Sequence, residues 1–373
     1  MRARPFIAIM GNPWVSGATA LALTGLVAAA SLWLGGFDPL AAFASLVRGS
    51  LGSPGAFLSI TLVRAVPLIL TGLAVGVAFR AGVWNIGAEG QLYAGAVAAV
   101  WAGLHFGTLP AALLVPLVLC ASALGGVIWI LVPAFLRIRM GVGEVITTIL
   151  MNFLGIHLAA WMVRGPLQEP RGIFPQTESI PLSAQLPVLF PGTRLHLGFP
   201  LAMGLAVLAW GFYRWTVAGF RASAVGASEE VARVAGAMDV NRVLTGTFLA
   251  SGALAGLAGG VEVAGVTFAL YEGLSPGWGY TAIAVALLAG LHPLGIVGAG
   301  VLFGALEGGA GAMQRNAGIP SAWVSAVEAM VILSLLAVGV ASRSRTAGPP
   351  TTANESGGIV AGTGGSDEDP GHA

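Results

Sequence analysis

Apolar runs of membrane-crossing length follow one another along nearly the whole chain, separated by short breaks rich in glycine, proline and polar residues. At about 20 residues per crossing, the pattern predicts spans at 15–35, 56–79, 86–104, 109–134 and 145–163. After a long loop it predicts others at 199–213, 243–269, 280–291, 295–312 and 323–341. The pieces at 280–291 and 295–312 are short, and His292-Pro293 between them marks a break. The expected fold class is all-α, a polytopic transmembrane helical bundle of about ten spans over residues 1–342.

Composition narrows the chemistry. The 373 residues are 56% hydrophobic and only 9% charged, far from the roughly 25% charged of soluble domains, so a lipid bilayer has to supply the surroundings. All 17 basic residues are arginine, which removes Schiff-base chemistry and the lysine of an ATP-binding phosphate loop. The one cysteine, Cys120, lies inside an apolar run and allows neither an internal disulfide nor a thiolate metal cluster. With no triad, zinc helix or phosphate loop in the sequence, no catalytic, cofactor or metal residue is expected, and nothing points to nucleic acid.

Arginine placement sets an orientation. A cytoplasmic N-terminus puts Arg2, Arg4, Arg80, Arg137, Arg139, Arg214, Arg221, Arg233, Arg242, Arg343 and Arg345 inside. Arg48, Arg164, Arg171, Arg194 and Arg315 then fall outside, with Arg64 in the second span, as the positive-inside rule favours. Both termini are therefore expected in the cytoplasm. The first apolar run lacks an evident cleavage site and is taken as a retained span.

Two stretches leave the membrane. The outer loop 164–198 is marked by proline and glycine and should hold a shape, whereas 343–373 is Gly-, Ser- and Thr-rich without an aromatic residue and should be a disordered cytoplasmic tail. Residues 72–77 (GLAVGV) faintly echo 256–261 (GLAGGV) in spans that run in opposite directions, as an inverted repeat requires. Gly252, Gly256 and Gly260 have the small-residue spacing that lets helices approach closely.

The most informative stretch is 80–91, where glycines and the polar Asn85, Glu89 and Gln91 separate two apolar runs. Non-helical backbone at membrane depth survives only against protein or water, so the stretch is either a structural or gating element or a tight turn. Glu144, Glu262, Glu307 and Glu328 lie in or beside apolar spans, where ionisable groups face the interior or an aqueous path, often paired. Arg64 is the intramembrane base that one of them would pair with. Asn85, Glu89, Glu144 and Asn152 are the candidate substrate-path residues. In the segment 215–242, Ser228 offers an N-cap, Glu229 and Glu230 suit a first turn, Val231 and Val234 follow, and Gly236 can end the helix. Pattern alone leaves this helix as a docking element or a connector.

The run from Asn85 to Gln91, NIGAEGQ, and then the run from Gly143 to Asn152, GEVITTILMN, resemble the permease subunits of bacterial ABC importers in the branched-chain amino acid and ribose permease superfamily. Gly165-Pro166-Leu167, Phe174-Pro175-Gln176, Ala224-Val225-Gly226 and Leu291-His292-Pro293-Leu294-Gly295 resemble most the nucleoside and simple-sugar branch. The resemblance implies alternating-access transport in the bacterial plasma membrane and a second permease subunit, as homo- or heterodimer. It also implies ATP-binding-cassette ATPase subunits that use the ATP, and an extracytoplasmic solute-binding protein. It makes 228–236 the coupling helix, with Ser228, Glu229, Glu230, Val231, Val234 and Gly236 at the ATPase. The buried acids keep open a second function, a proton-coupled secondary transporter of small polar solutes.

Overall fold

The computed structural model describes residues 25–320 apart from 235–237, together with 323–327, 329–330 and 333–334. In chain order the helices are α1 (Gly25–Leu34), α2 (Pro39–Leu51), α3 (Pro54–Arg80), α4 (Ala88–His105), α5 (Ala111–Met140) and α6 (Glu144–Arg164). After the outer loop come α7 (Gly198–Trp215), α8 (Val217–Ala227), α9 (Glu229–Val234), α10 (Val240–Thr267), α11 (Trp278–Leu288) and α12 (Pro293–Ala317). The described residues contain no strand, only isolated bridges pairing Gln176 with Tyr271 and Val188 with His196. The bundle is all-α, as expected.

Five helices, α3, α5, α6, α10 and α12, are long and apolar enough to cross a membrane, and α7 with α8, bent by 81°, would make a sixth. Ten full crossings are therefore not reached among the described residues. One reason is α11, whose 11 residues extend roughly 16 Å, about half of a hydrocarbon core. Parts of the first and tenth expected spans, Glu328, Gly236 and the tail 343–373 lie outside the described residues.

α10 runs through the middle, with α4 and α5 on one side and α3 on another. Its glycines set the approach. A side chain on Gly126 of α5 would strike the backbone of Gly252 and Gly256, and one on Gly95 of α4 would strike Gly256, so main chains touch where lipid offers no hydrophobic drive for association. Large side chains such as Leu124, Ile128, Leu150, Phe153 and Trp161 stay exposed, the surface that lipid covers.

Two breaks shape the interior. After α3, residues 81–87 turn back into the bundle: Asn85 donates to Ser251 of α10 at 2.8 Å, and Ser251 donates to the carbonyl of Ala74 at 2.7 Å, about 9 Å of helix before Arg80. Only then does α4 begin. After α10, which runs antiparallel to α3 and ends in a π-helical turn at Val263–Thr267, residues 268–277 fold inward and α11 begins with Gly279 beside Glu89. Each unit is a span, a break and a helix that starts inside the bundle, and the two units point in opposite directions. The echo between 72–77 and 256–261 lies on their spans, α3 and α10.

Candidate functional site

A cavity of about 550 Å³ opens between the first turns of α3, the end of α10, the second break and α12. Both helices wind a π-turn where they border it, at Phe57–Thr61 and Val263–Thr267, a deviation that re-aims side chains and recurs at functional sites. Ser59, Arg64, Arg194, Glu262, Thr267, Tyr271, Trp278 and Arg315 supply its polar and aromatic lining. Arg64 pairs with Glu307 at 3.5 Å, and the indole N–H of Trp278 donates to the same carboxylate at 3.0 Å. The intramembrane base thus has the acidic partner its position called for. Burial pushes the Tyr271 phenol up, so it remains a neutral donor at physiological pH. Hydroxyls, a carboxyl group, guanidinium groups and aromatic faces around one cavity suit a polar solute with many hydroxyls or a flat ring.

The outer loop closes over the second break. Thr177 N–H donates to the Leu270 carbonyl at 2.9 Å, Ile180 to Phe268 at 2.7 Å and Leu186 to Ala264 at 2.8 Å, while Arg164 pairs with Glu272. His196 is buried against Gly198 and Gly265. Its Nδ1 accepts from Gly198 N–H at 3.1 Å and its Nε2 has no partner among the described residues; burial, with Arg194 nearby, lowers its pKa to about 4.

The sequence-selected polar residues gather at the first break instead. Asn85 pairs its amide with that of Gln91, at 3.1 and 3.0 Å, and accepts the Gly87 N–H at 2.9 Å. Asn152 spans the break, accepting Gly90 N–H at 2.8 Å and donating to the Ile86 carbonyl at 2.8 Å. Glu89, in the first turn of α4, accepts the Gly279 N–H at 2.6 Å. Its carboxylate therefore lies at the positive ends of two helices at once, α4 and α11. Glu144 accepts Trp84 N–H at 3.2 Å and pairs with Arg137 at 2.9 Å. All four candidates are buried.

At the far end of α5, α9 forms as its residues dictate. Ser228 caps it by accepting Val231 N–H at 3.2 Å, and Glu229 and Glu230 occupy the first turn. Glu229 accepts from Arg233 at 2.7 Å and from Arg137 at 2.9 Å. The Arg233 hydrogen bond above all holds its carboxyl below the ordinary range. Val231 and Val234 are 66% and 83% exposed, so these two valines point away from the described residues while Ala232 packs into the core. Gly236 lies outside the described residues.

Arg194, Tyr271 and Trp278 were not singled out from sequence. They sit in loops or at a helix start, and only the fold brings them to Arg64.

The description "Branched-chain amino acid transport system / permease component" belongs to the family model that matches residues 57–336. The glucose ABC transporter permease protein TsgB13 of Haloferax volcanii is 36% identical, over 87% of this chain and 87% of its own. The guanosine ABC transporter permease protein NupP of Bacillus subtilis is 37% identical over 83% of this chain and 90% of its own. The nucleoside ABC transporter permease protein NupB of Lactococcus lactis is 33% identical over 80% and 83%. No solved structure matches the chain. The matched region runs from the π-turn of α3 past the end of α12 and so contains both breaks, the cavity and α9, which makes this multi-pass membrane protein a member of the branched-chain amino acid transport system permease family.

Proposed function

We propose that this chain is the permease subunit of an ATP-binding-cassette importer that carries a nucleoside or simple sugar by alternating access. The observation that carries the proposal is similarity over most of the chain to relatives named as guanosine, nucleoside and glucose permeases, joined to a cavity whose size lies within the roughly 300–1,000 Å³ of small-molecule sites. The solute enters at the cavity between Arg64, Glu262, Tyr271 and Trp278. Asn85, Glu89, Glu144 and Asn152 form the wall of its path toward the end that carries Arg80, Arg137, Arg139, Arg214 and Arg242. That end is cytoplasmic, as are both termini, and 164–198 faces an extracytoplasmic binding protein. A separate ATPase pair docks on α9 through Val231 and Val234, a second permease completes the pathway, and the chain needs no cofactor of its own. The relatives' names favour this function over a proton-coupled secondary transporter.

Co-expression with the ATPase and binding protein, reconstitution in liposomes, and uptake of labelled guanosine, other nucleosides and glucose test it. ATP-dependent accumulation of one of these is expected. Uptake driven by a proton gradient without ATP would sink the proposal.

A further inference from the structure

We infer that Arg137, near the end of α5, is a positioning residue for transport, through which the place of α9 sets the place of the first break. This rests on the importer function above and goes beyond it by naming the group that carries the movement. One guanidinium joins the parts: its Nε is 2.9 Å from a Glu144 oxygen and its Nη2 is 2.9 Å from a Glu229 oxygen. The other Glu144 oxygen accepts the Trp84 N–H at 3.2 Å, inside the break. The two carboxylates are held by two different nitrogens of one planar ion, so their separation and angle are fixed together, which a flexible ammonium cannot do. The three side chains are 29%, 11% and 32% exposed, sheltered enough that salt screens them less than a surface pair.

From Trp84 the contact chain continues without a gap. Thr148, one turn beyond Glu144, accepts Ile86 N–H at 3.3 Å, Asn152 ties Ile86 to Gly90, and Glu89 holds the first turn of α11, where Trp278 borders the cavity. A displacement of Glu229 therefore reaches the cavity wall through hydrogen-bonded groups, and Arg137 is the link that crosses from the surface helix into the bundle.

The test is the number of solute molecules moved per ATP hydrolysed by the reconstituted complex. Arg137→Gln should lower this ratio roughly tenfold, within the range by which residues of a coupled network alter a distant equilibrium, while the ATPase still co-purifies and turns over. Arg137→Lys should recover part of it. Glu144→Gln should act like Arg137→Gln, and the double variant should be no worse than either single one, as expected of groups acting as one unit. An unchanged ratio in Arg137→Gln, or losses that multiply in the double variant, overturns the inference. If Arg137→Gln fails to accumulate, Glu144→Gln decides alone, a tenfold fall supporting the link and an unchanged ratio removing it. Absence of ATP-dependent uptake with the unaltered chain would instead overturn the importer function itself.

Discussion

The break after α3 and the break after α10 interrupt helices of similar length, 27 and 28 residues, but different things hold them. Side chains fill the first: Asn85, Thr148 and Asn152 satisfy the backbone that leaves the helix, Gln91 and Ser251 hold Asn85 in place, and all five are buried. The second is bound by main chain to the outer loop along 174–186, and its inner side opens on the cavity. Each break is also gripped from its own end, the first by α9 through Arg137 and the second by the loop above it. A backbone saturated by side-chain amides inside a low-dielectric interior is costly to rearrange, whereas one held by a surface loop can shift as the loop does. The difference assigns rigidity to one unit and adjustability to the other.

The largest effect should come from emptying the first break. Asn85→Leu takes from the Ser251 oxygen the donor it accepts and strands the Gly87 N–H and the Gln91 amide, at about 1–3 kcal/mol for each buried group left unsatisfied. The protein should fail to accumulate or melt far earlier in detergent, and a melting curve like that of the unaltered chain would show that this break is not the rigid one.

Acid should loosen the second unit next. His196 binds a proton near its ordinary 6.5 when unfolded and only at about 4 when folded. Its neutral form's contribution is thus intact above 6.5 and is lost between 6.5 and 4, at up to about 1.4 kcal/mol per pH unit. Thermal unfolding of the chain against pH, compared with His196→Leu, measures this, and the variant's curve should be flatter across that window.

In the cavity the effect moves from stability to transport. Glu262→Gln and Trp278→Phe should lower uptake by roughly tenfold or more, the value of one good polar contact in a desolvated site, while shifting the melting temperature little. A loss of stability matching that of Asn85→Leu would erase the contrast between the units. Smallest of all, Arg164→Ala should cost at most about 1 kcal/mol, since its pair with Glu272 is solvent-exposed, and uptake should be nearly normal.

Much of the bundle was legible because lipid leaves a one-dimensional record: α3, α5, α6, α10 and α12 are long runs of mostly apolar residues. α2 was passed over as loop although Asp38, which caps Leu40 and Ala41, and Pro39 mark a helix start. α8 was hidden by its small residues, although Thr216 accepts Gly219 N–H at 3.0 Å as its cap. The polar stretch 80–91 could be read as a break because three glycines and three polar residues interrupt the apolar pattern there, although Glu89, Gly90 and Gln91 belong to the first turn of α4. That the break lies deep in the bundle rather than at its end follows only from Asn85 meeting Ser251, 166 positions away. The cavity was half visible. Arg64, Glu262 and Glu307 stood out as charges in apolar runs, whereas Tyr271 and Trp278 look like ordinary aromatic residues until the second break folds inward.

The elbow between α7 and α8 has a mechanical consequence. Trp215, Val217 and Phe220 are 71%, 66% and 65% exposed around an 81° bend, with Arg214 and Arg221 among them, so α8 has the make-up of a helix that floats in the headgroup layer. The opposite face of α8 is tied to the bundle, with Gly226 against the backbone of Arg80 and Val225 in the core beside Ala78, so a lipid surface that presses on α8 also presses on the end of α3. The same protein in lipids of longer or shorter chains should therefore turn over at different speeds with no residue changed.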